Sequence, residues 1–251
     1  MQDRLDNNEA QARAEWQVRT DLAAAYRLVA LFGWDDLVFT HLSARVPGPE
    51  HHFLINPYGL LFHEITASSL VKVDQDGQVI ESGGVRRVNP AGFTIHSAVH
   101  LGRDDAGAVM HLHAADGVAV SAHRDGLLPL SQTAMLCLDH LSYHDYEGVA
   151  LNLDERQRLI RDLGDKSMMI LRNHGLLTAG QTVAETFTYL YFLMKACEIQ
   201  VRALACGPTH QPSAQAIQTT ADQSQSLGKA AALTWPALRR LLDSKNPGYA
   251  V

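Results

Sequence analysis

Two hydrophobic rhythms run along the chain, one with a helical period and one alternating every second residue, and the switches between them outline its elements. Val18, Leu22, Ala25, Tyr26 and Val29 share one face of a helix expected over residues 9–32, with Gly33 as its stop. Short strand-like runs follow at 37–42, 43–46 and 52–55, then the turn Asn56-Pro57-Tyr58-Gly59 and a further run at 70–73. Asp76-Gly77, between VKVD and QVIES, predicts a hairpin turn. Asn89-Pro90 joins an N-cap to a proline at the first helical position and opens a helix through about Leu101. Residues 107–113 (GAVMHLH) alternate as a strand, 117–123 read as a helix, and Asp125-Gly126 reads as a turn. A polar-faced helix is expected over 154–163, a buried strand over 168–172 and a long helix over 183–204. The last carries Phe187, Leu190, Tyr191, Met194 and Cys197 on a core-facing side. Residues 207–228 are polar and poor in large apolar groups, so a flexible connector is expected there, before a last short helix over 234–242.

The chemistry sits where strands end. His111 and His113 are one residue apart on an alternating strand, so both imidazoles leave the same face while Leu112 points the other way. His174 lies in MMILRNHGLL, where another buried-looking strand breaks at His-Gly. Among 13 histidines a His-x-His pair also arises by chance, and Asn-His-Gly is also plain turn chemistry. Their shared placement at strand ends favours function, because loops there carry active groups in layered α/β proteins. Three neutral imidazoles would hold one divalent ion and leave a coordination position open, as in catalytic zinc sites. Zinc is the leading ion, and iron, manganese and nickel suit related donor sets.

Composition narrows the classes. The chain has 251 residues, 46% hydrophobic and 19% charged, and no composition break demands a second large domain. A net charge of −6 without a basic run argues against nucleic acid as a partner. No stretch approaches the roughly 20 apolar residues of a membrane span. The polar, acidic start (MQDRLDNNEAQARAEW) is unlike a secretory signal, and three scattered cysteines, Cys137, Cys197 and Cys206, fit a reducing compartment. A cytoplasmic protein is expected. There is no internal repeat, no phosphate-loop or dinucleotide glycine pattern, and no HExxH helix.

The segments THLSARVPG, FLINPYGLLFHEITASSLVKVD, NPAGFTIHSAVH, RDDAGAVMHLHAADGVAVSA, GLLPLSQTA and LRNHGLLTAG together resemble the class II aldolase/adducin head-domain family over roughly residues 17 to 204. That resemblance implies a three-layer α/β/α fold around a central, largely antiparallel sheet. It also implies a homotetramer with sites at subunit boundaries and a zinc-type ion on His111, His113 and His174. The domain is expected over 1–206. Residues 207–251 are then a polar connector and a short C-terminal helix, packed on the same domain or on a neighbouring subunit. Enzymes of the family use the ion as a Lewis acid to stabilise an enediolate.

Departures from the family pattern redirect the chemistry. Its aldolases carry Ser-Ser-Glu ahead of the helix that precedes the HxH strand; here the run is Pro90-Ala91-Gly92. Proline lacks an N–H, alanine lacks a hydroxyl, and Gly92 offers neither a ligand nor a base. The family's Gly-Asn-x-Ser phosphate loop is replaced by Thr40-His41-Leu42-Ser43, while Gly59 persists. The aldolases' tyrosine, supplied by a neighbouring subunit, falls near Gln132 or Thr133. These losses point away from phospho-sugars and towards the adducin-like branch. The leading expectation is a metal-dependent lyase, cleaving or decarboxylating a small non-phosphorylated carbonyl compound or a hydroxy or keto acid. A non-catalytic adducin-like scaffold and a non-haem iron oxygenase on the same three histidines are the alternatives.

Asn56, Gly59 and Gln132 are candidate substrate contacts. His41 and His96 are candidates for the missing acid or base, with a buried core role the leading reading for His96. Asn89 has a sufficient role as a helix cap. Tyr143, His144, Asp145 and Tyr146 read as an exposed loop, and His51, His52 and His210 as surface.

Overall fold

In a computed structural model, which describes residues 2–82, 84, 87–148 and 154–251, the alternating segments pair into one sheet. The strands are β1 (His41–Arg45), β2 (Phe53–Ile55), β3 (Val71–Val73), β4 (Val79–Glu81), β5 (Ala108–Leu112), β6 (Leu141–His144), β7 (Met168–Leu171) and β8 (Gly175–Gly180). They lie in the order β4-β3-β2-β1-β5-β8-β7-β6. Only β6 and β7 run parallel; the other neighbours are antiparallel. The helices are α1 (Gln2–Leu31), α2 (Pro90–Gly102), α3 (Ala115–Ala122), α4 (Gln132–Leu138), α5 (Glu155–Leu163), α6 (Val183–Ala205), α7 (Ala214–Gln223) and α8 (Ala231–Lys245).

Alternation along the central strands splits the interior into two cores, as a three-layer α/β/α architecture requires. Leu42, Met110, Leu112, Met168, Ile170 and Leu176 pack with α1 and α6, through Tyr26, Leu28, Phe187 and Leu190. Val109, Met169, Leu171, Leu177 and Ala179 face the other way, onto Ile95 and Val99 of α2 and Leu159 and Leu163 of α5. Burial on both faces explains why MMIL and AVMHL read as nearly continuous apolar runs.

The structure departs from the sequence-based outline at several places. The strand expected over 37–42 does not form. Leu37 and Thr40 take positive φ (51° and 65°), only an isolated Asp36–Phe39 bridge remains, and the extended strand begins at His41. α4 was not anticipated: it has only seven residues, too few to show a helical period, and Ser131 caps it by accepting from the Ala134 amide at 3.0 Å. Residues 143 and 144 belong to edge strand β6, not to an exposed loop, and His144 is buried against Asp162 at 2.8 Å.

The expected flexible stretch at 207–228 contains α7 and then a 3-10 turn over Ser224–Ala230. Its small residues serve as helix formers that pack closely, with Ala221, Ser224 and Leu227 buried. Further on, Trp235 of α8 donates to Asp21 at 3.0 Å, and Arg27 donates to the Pro247 carbonyl at 2.7 Å, so the C-terminal stretch lies along α1.

Leu112 is fully buried in the central strand. Leu112→Ala is expected to lose about 2–5 kcal/mol of stability. Urea unfolding should show a lower midpoint at unchanged slope; a midpoint equal to that of the unmutated chain would contradict this account of the core.

Candidate metal centre

β5 is the seat of the cluster. It pairs with β1 on one side and β8 on the other, placing His41 opposite His111 and Leu112 opposite Leu176. His113 follows one residue past the strand on the same face as His111. His174 comes from the β7–β8 hairpin, where Asn173 adopts a φ of 56° and the His174 amide donates to the Leu171 carbonyl at 3.1 Å. Gly175 lets this loop close on β5, since a Cβ there would fall 2.3 Å from the Leu112 carbonyl oxygen. The three ring centroids are 4.7, 4.7 and 4.8 Å apart, and one nitrogen from each ring lies within 4.8 Å of the others.

Hydrogen bonds behind the rings fix their tautomers. His111 Nδ1 is 2.9 Å from the Leu176 carbonyl oxygen, which can only accept, so Nδ1 carries the proton. His113 Nδ1 is 3.1 Å from the Asp36 carboxylate and donates to it in the same way. Each Nε2 is left bare, and the two face one another at 3.0 Å. Two lone pairs that close repel unless a cation, or one extra proton, lies between them. Zinc–nitrogen bonds of about 2.0–2.1 Å would place neighbouring tetrahedral ligand atoms roughly 3.3 Å apart, so this pair fits an ion of that kind. Burial, then His174 and His113, hold His111 well below the usual histidine range. Burial, then His113 and His144, lower His174 to about 4. Neutral rings are the form that ligates.

α2 closes the site from above. Gly92 presents no side chain, and the His41 ring fills its place: a Cβ at 92 would fall 2.3 Å from His41 Nδ1. One turn on, His96 is buried, with Nδ1 2.6 Å from Ser43 Oγ, which lies 2.8 Å from His100 Nε2. His100 Nδ1 reaches the Ala106 carbonyl oxygen at 2.9 Å. Because that carbonyl only accepts, Ser43 donates to His100 and accepts from His96. His96 therefore fits the buried core role.

The other candidate contacts are scattered. Asn56 is buried towards α1, where its Oδ1 accepts from Tyr26 at 2.9 Å, and Gly59 sits in a turn with φ 110°. Gln132 is exposed at the start of α4, in a groove with Met135, Cys206 and His210. None of the three touches the histidine cluster among the described residues. Asp36 was missed by sequence reasoning, because only the left-handed turns around it bring its carboxylate to His113. An Asp-Asp pair in a polar stretch gave no separate signal.

The domain family described as "Class II Aldolase and Adducin N-terminal domain" matches residues 20–201. An aldolase II superfamily protein from Pseudomonas syringae superimposes with a TM-score of 0.92 at 50% identity, covering 95% of this chain and 96% of that one. An L-fuculose 1-phosphate aldolase from Glaciozyma antarctica PI12 gives 0.82 at 31% identity, covering 94% of each. Alpha-adducin of Rattus norvegicus is 48% identical over 195 residues, which are 77% of this chain and 26% of adducin.

The buried histidines make stability depend on pH. His41 and His100 are lowered to about 3 and His174 to about 4, each chiefly by burial, and His96 and His111 also lie well below the usual range. On acidification the unfolded chain takes up protons near pH 6.5 while the folded chain does not, so folding stability falls with pH. The thermal midpoint of metal-free protein is expected to drop steadily between pH 7 and 5. A flat midpoint across that window would overturn the assignment of these rings as buried and neutral.

Proposed function

This chain belongs to the class II aldolase and adducin N-terminal domain family, and on that premise we propose that it is a metal-dependent lyase acting on a small, non-phosphorylated carbonyl compound or hydroxy or keto acid. The observation that carries this reading is the convergence of His111 and His113, whose Nε2 atoms are 3.0 Å apart, with His174 beside them. His111, His113 and His174 would hold the ion, zinc first, with iron, manganese or nickel suited to similar donors. Bound there, such an ion supplies Lewis-acid polarisation of a ligand oxygen.

The residues around the triad support this choice of substrate. Among the described residues no carboxylate joins the three histidines as a ligand, so anionic chelating ligands are favoured over neutral ones. At the start of α2, Pro90 provides no N–H and Ala91 no hydroxyl, which weakens the anion site that a helix N-terminus otherwise offers to phosphate. Asp36 accepts from His113 Nδ1 and so orients the ring with Nε2 towards the centre. Leu37 and Phe39, exposed in the turn that carries Asp36, and exposed Tyr146, whose ring centroid is 6.3 Å from that of His174, form an apolar rim. That rim supports self-association, proposed as a homotetramer with neighbouring subunits closing the site. Among the described residues no helix is long and apolar enough to cross a membrane. A cytoplasmic location is part of the same proposal.

The likeness to alpha-adducin favours a second reading, a scaffold that keeps the fold without turnover. Metal content separates the two.

Elemental analysis of the purified chain is expected to find about one ion per subunit, and His111→Ala to remove it. A stoichiometry near zero in the unmutated chain would leave the scaffold reading standing. Asp36→Asn is expected to weaken zinc binding by about 10–100-fold, measured by chelator competition, without lowering the thermal midpoint of the metal-free protein. Unchanged affinity would remove Asp36 from the centre.

A further inference from the structure

His41 is a buried imidazole with nothing to bond. It opens β1 and pairs in register with His111, so the two rings leave the same face of the sheet. It is only 4% exposed, yet neither Nδ1 nor Nε2 has a hydrogen-bond partner. Such orphaned atoms cost about 1–3 kcal/mol each, and they mark places that something outside the chain completes.

Two backbone features hold the ring there. Thr40, immediately before it, adopts a φ of 65°, a conformation that β-branched residues rarely take. In α2, a Cβ at Gly92 would fall 2.3 Å from His41 Nδ1 and 2.5 Å from both Cγ and Cε1. Near-equal distances to three ring atoms mean that the imidazole lies face-on against the glycine, with both nitrogens buried and unbonded. Any side chain at 92 would evict it.

We propose, building on the metal-centre reading above, that His41 is the specificity-determining contact for a hydroxyl of the ligand chelated at the triad, and that position 92 is glycine to make room for the ring. A hydroxyl bound to a divalent ion through its oxygen has only its proton left to share, and that proton needs an acceptor. His41 supplies one, because it leaves the same face of the sheet as His111 and its ring nitrogens have no partner within the fold.

Glycolate and methoxyacetate test the assignment. Both can chelate through a carboxylate and an adjacent oxygen, but only glycolate has an O–H to donate. Calorimetric titration of the zinc-loaded chain is expected to show glycolate binding about five- to tenfold tighter. The preference should vanish in His41→Phe and in His41→Leu, with zinc stoichiometry unchanged, and shrink in Gly92→Ala, where the ring is displaced. Circular dichroism identifies the folded His41 variant if one of the two fails to fold. Equal binding of the two acids by the unmutated chain, no binding of glycolate, a preference that survives in a folded His41 variant, or zinc loss from that variant would each overturn the proposal. A chain that binds zinc without discriminating the acids sinks only the role of His41. A chain that binds no zinc sinks the metal-centre reading itself.

Discussion

Everything at the site depends on β5 being buried on both faces while paired on both edges. Its backbone is committed to β1 and β8, so no residue can change face without shifting two registers at once. Met110 and Leu112 anchor one face in the α1 and α6 core, and Val109 anchors the other against α2 and α5. His111 and His113 are thereby directed towards α2. The pairing that seals the cores also brings His41 from β1 and the hairpin bearing His174 alongside. A slip of one residue would point the histidines into the α1 core and Leu112 out of it. Packing energy therefore holds the cluster in place, and the cluster itself need contribute little to folding.

That division lets the site be electrostatically unfavourable in isolation. Carbonyl and carboxylate acceptors behind His111 and His113 draw the Nδ1 protons away from the centre, so without a cation or one extra proton between them two lone pairs would face across 3.0 Å. A chain selected only for stability would relieve that repulsion with an apolar pair. The cost is tolerable because the surrounding sheet is over-determined, which is the usual condition for strain at functional positions.

The sequence revealed period and chemistry better than it revealed turns. Alternation through residues 107–113 was sufficient to put His111 and His113 on one face, because strand geometry is local. His174 needed the Asn173-Gly175 turn, whose composition was legible, and the family resemblance then brought it into the same cluster. The turn at 36–40 was illegible, since left-handed Leu37 and Thr40 contradict their own propensities and are imposed by tertiary contacts. Asp36 went unnoticed with it. α7 hides in the sequence because its polar composition resembles that of a disordered stretch, while its alanines supply both helix propensity and close packing. His144 was misread because β6 is an edge strand whose burial comes from Asp162 of α5, a contact that no local pattern encodes. What resisted reading was set by long-range contacts.

The distribution of unsatisfied atoms bears on whether the chain is a scaffold or an enzyme. Among the described residues, Thr40 Oγ1, both His41 nitrogens and His96 Nε2 are buried without partners at the start of β1 or in α2 beside it, while Arg45 Nε, Asn56 Nδ2, His144 Nε2 and Arg156 Nε are orphaned elsewhere. On the α1 side of the same strand, Tyr26 bonds both to the Leu42 backbone and to Asn56, so polar groups there are mostly accounted for. A protein that merely presented its outer surface to partners would have no reason to leave His41 without a partner at both nitrogens, on the strand paired with the one that carries His111. A protein that admits a small oxygenated molecule would, because the molecule brings the missing donors and acceptors with it.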